Sequence, residues 1–309
     1  MTNNPIIEQR ADPHIYKHTD GFYYFTASVP EYDRIEIRKA SSIEELNIAE
    51  KVVAWRKPDT GPYSDLIWAP EIHYLFGAWY IYFAAAPCRE IKDGLFQHRM
   101  YAISTQSDDP TEGQWEFCGQ IETDMDTFCL DATTFAHLNK QYYVWAQKDP
   151  EVAGNSNLYI AEMLSPTRLK LPGVCISKPE FDWEVKGFMV NEGPYVMNRH
   201  GKVWITYSAS ATDENYCMGM LCADEDDNLL EKGSWSKSPE PVFCTNYDIG
   251  VYGPGHSCFT TGCEGEDLLV YHARDYTEIE GDPLWDPNRH TRIKAFEWID
   301  GWPTFGLAI

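Results

Sequence analysis

The chain repeats one pattern five times at intervals of about sixty residues, and this repeat limits the folds that it can adopt. Each unit has a small or acidic residue near proline, a short β-prone run, a turn with Gly, Asn or Asp, and a second run rich in aromatic residues. The units open at 11–16, 68–73, 130–135, 191–196 and 253–259. Alternating aromatic and β-branched residues on both sides of a tight turn predict a β-hairpin in every unit.

Further β-prone runs lie between the hairpins, for example 100–104 and 158–162, so each unit can supply a four-stranded sheet. Helical periodicity is scarce, and 42–50 is the best short candidate. Repeated all-β units of this length predict a five-bladed β-propeller with four-stranded blades around a central channel. A large β-sandwich is the alternative, but it has no reason to repeat at near-constant spacing. No linker interrupts the pattern, so we expect a single domain over residues 1–309.

Composition narrows the class of partner. The chain is 43% hydrophobic and 14% aromatic, which fits a packed globular core. Its formal net charge of −23 argues against nucleic acid, because binding to phosphates needs clustered Lys and Arg. The same charge disfavours anionic membrane surfaces. A neutral ligand such as a sugar meets no such penalty.

The first eight residues contain neither a basic segment nor an apolar segment of the kind found in secretory signals. No apolar run approaches the roughly 20 residues needed to span a bilayer. The nine cysteines are scattered without a C-x-x-C pair, which suits thiols kept reduced. These features predict a cytoplasmic protein.

In a propeller the innermost strand of each blade lines the channel, and the first run of each unit is the candidate for that strand. The residues that open these runs are Asp12, Ala69, Asp131, Glu192 and the segment 254–256. Three of them are carboxylates, and we expect these three to converge on one pocket at the axis. One carboxylate alone would be typical of a solvated surface, but three at one repeat position are not.

A convergent acidic cluster has two main uses. It can form an oxygen-rich site for a cation such as Ca²⁺. It can also cleave a glycosidic bond, which needs one protonated and one ionised carboxyl. A third carboxylate nearby would raise the pKa of the acid by like-charge repulsion.

Five segments in order, 11–13, 68–71, 130–132, 191–194 and 252–256, resemble the blade signatures of glycoside hydrolase family 43. The resemblance covers nearly the whole chain. It implies a five-bladed propeller that inverts the anomeric carbon. It also implies substrates among the arabinofuranosides, xylosides and arabinans of plant cell walls.

The resemblance implies a role for each carboxylate. Asp12 would be the general base that activates water, Glu192 the general acid, and Asp131 the group that tunes and orients Glu192. His256 would lie beside a channel ion, commonly calcium, with a structural role, so no cofactor is expected for the chemistry. The segment 130–133 lacks the Asp-Pro pair of many family members, which bears on local rigidity rather than on the carboxylate.

Side chains near the strand starts are candidates for substrate binding. Trp68, Tyr252 and Tyr32 could stack on a sugar face, although most aromatic residues of a propeller pack in its core. Glu71 could point inward after the proline that precedes it. Arg292 could bind a sugar hydroxyl, or it could pair with the acidic surface.

The segment 28–35, together with Arg38, resembles the arabinofuranosidase branch of the family more than the xylosidase branch. The chain also stops soon after the fifth unit. Both observations predict release of terminal α-L-arabinofuranosyl residues from arabino-oligosaccharides or arabinoxylan fragments. A β-xylosidase and an endo-arabinanase of the same family are the alternatives.

Two alternatives come from other classes of protein. A sugar-binding propeller without catalysis would repeat its ligand site in every blade, whereas here the key position changes between blades. A retaining fructan-active propeller would carry an Asn-Asp-Pro-Asn signature near its N-terminus, and this chain does not. The oligomeric state stays open.

Overall fold

The computed structural model describes residues 4–309, which form antiparallel sheets that follow one another along the chain. The first sheet contains β1 (Ala11–Lys17), β2 (Tyr23–Ser28), β3 (Arg34–Ala40) and β4 (Val52–Arg56). The second contains β5 (Asp65–Leu75), β6 (Ala78–Ala86), β7 (Arg99–Thr105) and β8 (Glu116–Gln120). The third contains β9 (Cys129–His137), β10 (Lys140–Gln147), β11 (Asn157–Ser165) and β12 (Arg168–Ser177). Each sheet is a simple meander, with the strands in chain order.

Two further blades complete the ring. The fourth contains β13 (Asn191–Arg199), β14 (Lys202–Ala209), β15 (Cys217–Asp224) and β16 (Ser236–Lys237). The fifth contains β17 (Tyr252–Thr261), β18 (Asp267–Arg274) and β19 (His290–Ala295). The first strands of successive blades contact one another in order, and β17 contacts β1. The prediction of a five-bladed β-propeller is therefore confirmed. The single-domain assignment stays a prediction.

The fifth blade draws its outer edge from the other end of the chain. Its own unit supplies three strands, and Ile7 forms an antiparallel bridge with Thr291 of β19. The Ile7 and Thr291 amides exchange hydrogen bonds of 3.3 and 2.9 Å with each other's carbonyls. The remaining strands, β20 (Glu297–Ile299) and β21 (Trp302–Thr304), form a separate ribbon. The N-terminal segment therefore closes the ring by joining the first blade to the last.

Helical structure in residues 4–309 is limited to short 3₁₀ turns. The predicted helical candidate 42–50 contains one such turn, Glu44–Asn47, and the others are Asp182–Glu184, Lys232–Ser234 and Pro283–Trp285. No helix among these residues is long and apolar enough to cross a membrane. The aromatic second strands pack between the blades, where Trp79, Trp145 and Trp204 are fully buried.

Each innermost strand contains a bulge at the same register position. The last pairs before the bulge are Ala11 with Ser28, Trp68 with Ala84, Leu130 with Ala146, Glu192 with Ser208, and Gly255 with His272. The next residue has a positive φ in every blade: Asp12 (54°), Ala69 (45°), Asp131 (49°), Gly193 (54°) and His256 (44°). A β-bulge re-aims the side chain at its position, so this device turns each inner strand toward the axis.

The register corrects the sequence alignment at one carboxylate. Asp12 and Asp131 are equivalent, as predicted, but their counterpart in the fourth blade is Gly193. Glu192 precedes it and is equivalent to Trp68 and Leu130. The three carboxylates therefore enter the axis from two neighbouring register positions rather than from one.

Candidate active site

All five innermost strands contribute to one cavity of about 370 Å³. Because only the propeller axis is shared by five blades, the cavity lies on that axis. We call it the axial cavity. Its lining includes the polar residues Asp12, Asp131, Glu192, Tyr216, His256 and Arg289, together with the aromatic Trp68. The three predicted catalytic carboxylates are thus brought together.

Asp12 is surrounded by groups that favour its ionised form. Its amide donates to His272 Nδ1 (3.0 Å), and the Ser28 hydroxyl donates to its Oδ2 (2.6 Å). Arg289 Nη1 lies 3.5 Å from its Oδ1. Burial alone would raise the pKa of Asp12, but His256, Arg289, His272 and Ser28 together lower it to about 2.

Arg289 is the partner of Asp12 that keeps its charge at neutral pH. Burial lowers the pKa of His256 and of His272, so neither imidazole carries a full charge there. Arg289 is itself held by Tyr32, because its Nη2 donates to the Tyr32 hydroxyl (3.2 Å). That hydroxyl donates in turn to Leu284 O (2.7 Å). A fixed guanidinium therefore stabilises the ionised Asp12.

Glu192 has the opposite environment. Burial is the main reason that the pKa of Glu192 is raised to about 7, and the charge of Asp12 adds to it. A hydrogen bond from Tyr216 Oη to Glu192 Oε1 (2.8 Å) and the charge of Arg289 act in the other direction. Glu192 therefore holds a proton under mildly acidic conditions, where Asp12 does not.

Asp131 is hydrogen-bonded to the backbone next to Glu192, and it shares His256 as a neighbour with Asp12. Its Oδ2 accepts the Gly193 amide (3.0 Å), which directly follows Glu192 in the chain. His256 Nδ1 lies 3.4 Å from Asp12 Oδ1 and 3.7 Å from Asp131 Oδ2. Burial, followed by the charges of Glu192 and Asp12, raises the pKa of Asp131 well above its usual range. Asp131 thus anchors the backbone beside Glu192, and its predicted effect on the pKa of Glu192 stays a prediction.

The walls of the axial cavity are largely apolar. Trp68 stacks on His98 at 4.0 Å between ring centroids and meets Phe96 edge-on. Phe96, Phe128 and Phe188 also line the space. Ligand pockets of this kind combine apolar walls with a few polar groups that fix orientation. A buried pocket with one ionised and one protonated carboxyl is equipped for glycoside hydrolysis.

Of the predicted substrate-binding residues, the structure places one in the lining of the axial cavity and four outside it. Trp68 lines the axial cavity. Tyr32 does not line the cavity, but its hydroxyl accepts a hydrogen bond from Arg289, which does. Tyr252 also lies outside the lining, with its ring 5.8 Å from that of Tyr247.

Glu71 and Arg292 lie away from the axial cavity lining as well. Glu71 is buried and its Oε2 lies 2.9 Å from His73 Nε2. Arg292 pairs with Asp275 and donates to Ile309 O (3.2 Å). β19 follows a loop whose last residue is Arg289, and this arginine reaches the cavity instead.

Sequence reasoning missed four residues that contact the carboxylates: Ser28, Tyr216, His272 and Arg289. None of them lies in a first strand, where the repeat directed attention. A repeat position on the second strands marks Ser28 and His272. This position, which pairs with the residue just before the bulge, holds Ser28, Ser208 and His272 in the first, fourth and fifth blades. Each of these side chains accepts a backbone amide of the next blade. Arg289 and Tyr216 lie outside the strands, and no repeat marks them.

A second cluster lies on the inner strands β1 and β5. His14, Glu71 and His73 offer three ligand atoms within 4.8 Å of one another. Both ring nitrogens of His14 lack hydrogen-bond partners within residues 4–309. Calcium prefers an oxygen cage, and a set of two imidazoles with one carboxylate is typical of other divalent ions. These residues therefore do not fit calcium, and the calcium predicted beside His256 stays a prediction.

Comparison with known proteins identifies the family of the chain. A model of glycosyl hydrolases family 43 matches residues 2–303. An extracellular exo-alpha-(1->5)-L-arabinofuranosidase of Streptomyces chartreusis is 50% identical over 281 residues, which are 91% of this chain and 84% of that protein. A protein of the same name from Streptomyces avermitilis is 48% identical, and the match covers 99% of this chain and 63% of that protein.

A crystal structure of alpha-L-arabinofuranosidase from Lactobacillus brevis is 57% identical in sequence, with a TM-score of 0.98. The match covers 99% of this chain and 96% of that one. The chain belongs to glycosyl hydrolase family 43. The predicted family, the predicted glycosidase activity and the carbohydrate substrate are therefore confirmed.

The predicted cytoplasmic location is wrong, because the two Streptomyces relatives are named extracellular enzymes. The prediction rested partly on the cysteines. All nine are free thiols, but four of them, Cys129, Cys217, Cys222 and Cys258, are buried. Packing shields such thiols wherever the protein resides, so their state does not report a compartment.

Proposed function

We propose that this chain is an exo-acting α-L-arabinofuranosidase that inverts the anomeric carbon, with Asp12 as general base and Glu192 as general acid. The observation that carries the proposal is the opposite shift of two carboxyl pKa values in one cavity, to about 2 for Asp12 and about 7 for Glu192. Such a pair supplies an ionised base and a protonated acid at the same pH.

The reaction follows from these protonation states. Asp12 accepts a proton from the attacking water, while Glu192 gives its proton to the leaving glycosidic oxygen. Water adds to the anomeric carbon on the face opposite to the breaking bond, so the configuration inverts. Asp12 ends protonated and Glu192 ends ionised, and exchange with solvent restores both. Asp131 orients the acid, because its Oδ2 accepts the Gly193 amide directly after Glu192.

The shape of the axial cavity supports action on a chain end. Three connecting segments wall it: 94–96 within the second blade, 187–188 between the third and fourth blades, and 282–284 within the fifth. A walled cavity suits a terminal sugar better than the open groove that an endo-acting enzyme needs. The arabinofuranosyl group is supported by the names of the relatives from Streptomyces chartreusis and Lactobacillus brevis.

A panel of aryl glycosides tests the proposal. We expect hydrolysis of aryl α-L-arabinofuranosides and at least about 100-fold lower kcat/KM on aryl β-D-xylosides, a difference that pocket contacts can produce. Asp12→Asn should lose about 10²- to 10⁴-fold with every leaving group, because water always needs the base. Glu192→Gln should lose as much with a poor leaving group but far less with dinitrophenol. Near wild-type turnover by either variant, or preference for xylosides, would refute the assignment.

We also propose that any channel ion near His256 has only a structural role. The two carboxylates supply base and acid without a metal. Dialysis against a chelator should leave kcat within about two-fold while lowering the Tm if an ion is bound there. Loss of kcat at unchanged folding, restored by calcium, would contradict this role.

A further inference from the structure

Among residues 4–309, Tyr216 forms the one side-chain hydrogen bond to Glu192, and Ser208 lies next to this tyrosine. The His256 amide donates to Ser208 Oγ (2.7 Å), and Tyr216 Oη donates to Glu192 Oε1 (2.8 Å). Ser208 lies beside Tyr216, and its hydroxyl lowers the pKa of that phenol, against the larger effect of burial.

The phenol of Tyr216 is held in place on both sides. Its ring is parallel to that of His272, with 5.6 Å between centroids and 4° between planes. A Cβ at Gly255 would lie 2.4 Å from the Tyr216 ring, so this residue must be glycine for the ring to fit. The hydroxyl therefore has little freedom to turn away from Glu192.

Tyr216 also keeps its proton across the working range. Burial, followed by the charges of Glu192, Asp131 and Asp12, raises the pKa of Tyr216 well above its usual value. The hydroxyl is thus a permanent donor to Oε1, whatever the protonation state of Glu192.

We propose that Tyr216 is a positioning residue that keeps the proton of the general acid on Glu192 Oε2. Because Oε1 accepts the phenol proton, it serves as the carbonyl oxygen of the protonated carboxyl. The transferable proton then resides on Oε2, the oxygen left free for the leaving group. After transfer, the same bond stabilises the carboxylate that forms. This inference rests on the proposed role of Glu192.

The main test compares kcat/KM of Tyr216→Phe on substrates with poor and good leaving groups. In Tyr216→Phe the proton can occupy either oxygen, so proton donation becomes less efficient. We expect kcat/KM to fall about 10- to 100-fold for an arabinoside with a poor leaving group, the range of a bond to a charged group. With dinitrophenol, which leaves unprotonated, the fall should be at most about three-fold.

The pH profile gives an independent readout. The groups that face Glu192 are Tyr216, Asp12, Arg289 and Asp131. The Tyr216 bond favours the ionised form of Glu192, so its loss raises the pKa of the acid. The alkaline limb of kcat/KM should therefore move to higher pH in Tyr216→Phe, which a merely structural role would not cause.

Tyr207→Phe is the matched control. Tyr207 is buried in the same blade, and its hydroxyl donates to the buried Glu184 (2.9 Å) outside the axial cavity. It should change the Tm without changing leaving-group dependence or the alkaline limb. If Tyr216→Phe does not fold, Ser208→Ala is measured instead: loss of the Ser208 hydroxyl makes the phenol a weaker donor and should shift both readouts in the same direction.

Two results would overturn the proposal: equal losses with both leaving groups, or an unmoved alkaline limb in a folded variant. Glu192→Gln separates this failure from that of the proposed function. If Glu192→Gln shows strong leaving-group dependence and Tyr216→Phe shows none, only the positioning role fails. If Glu192→Gln itself shows none, the role of Glu192 as acid fails.

Discussion

At the scale of single residues, the protonation states of Asp12 and Glu192 define a pH range. The base works while Asp12 is ionised, above a pKa of about 2, and the acid works while Glu192 is protonated, below about 7. We therefore expect kcat/KM on a poor leaving group to be flat in mild acid and to fall as pH rises through about 7. A profile that rises through neutral pH would contradict this order of pKa values.

Substitution of Arg289, with Arg292 as control, tests whether this guanidinium keeps Asp12 ionised. Arg289→Gln removes the charge that holds Asp12 ionised, so the pKa of the base should rise and the acidic limb should move to higher pH. We expect kcat/KM to fall about 10- to 100-fold, as for loss of a charged hydrogen-bond partner. The measurement is kcat/KM as a function of pH for both variants.

Arg292→Gln is the control for that measurement. The Arg292 guanidinium binds Asp275 and Ile309 and does not line the axial cavity, so kcat/KM of this variant should stay within about two-fold of wild type at every pH. Equal effects of the two substitutions on the acidic limb would show that Arg289 has no special relation to Asp12.

The sequence was sufficient to predict the carboxylates but not their partners. The repeat placed Asp12, Asp131 and Glu192 at one position, and the structure moves only Glu192, by one residue. Arg289 is brought to the cavity by a loop whose path depends on Tyr32 and Leu284. No local pattern encodes that path, so the sequence indicated Arg292, three residues away, instead.

Among the strands, the repeat correctly predicted the hairpins but misaligned Glu192 by one residue. The bulge in each inner strand explains that error. Hairpins were predictable because alternating aromatic residues flank tight turns. The offset of Glu192 was not, because it depends on which residue takes the positive φ. Gly193 takes it in the fourth blade, and glycine adopts that conformation without strain.

Substitution of Gly193 tests the importance of this bulge. Gly193 has φ +54°, and a Cβ there would lie 3.1 Å from His256 Nδ1. Gly193→Ala should cost about 1–2 kcal/mol of stability through the left-handed backbone. It should also lower kcat, because it displaces His256 and the amide that binds Asp131.

Gly21→Ala is the matched variant, since Gly21 also has a positive φ (+91°) but a Cβ at this position would meet no atom within 4 Å. We expect a similar loss of stability and unchanged kcat. Chemical denaturation and steady-state kinetics of both variants provide the comparison. Unchanged kcat in Gly193→Ala would mean that the bulge does not position the carboxylates.

At the scale of the whole molecule, the N-terminal segment holds the ring closed. The Asn4 side chain donates to Ile293 O (2.9 Å) and accepts from Ile293 N (2.9 Å) on β19. Loss of both bonds in Asn4→Ala should lower the free energy of unfolding by about 1–3 kcal/mol. The Tm from calorimetry should fall accordingly.

Asn198→Ala serves as the control for ring closure. Asn198 also bridges two blades, but through one exposed bond to Ala136 O (3.0 Å). Its loss should cost no more than about 0.5 kcal/mol. If Asn4→Ala and Asn198→Ala destabilise equally, the N-terminal segment has no special part in closing the propeller.

The anomeric configuration of the first-formed sugar tests whether Asp12 and Glu192 act as base and acid in a single inverting step. Asp12 activates water and Glu192 protonates the leaving oxygen, so an α-L-arabinofuranoside must yield the β-anomer first. Proton NMR during the first moments of hydrolysis, before mutarotation, distinguishes the two anomers. We expect early accumulation of β-L-arabinofuranose. Early accumulation of the α-anomer would contradict it, because retention requires a covalent intermediate that these roles do not provide.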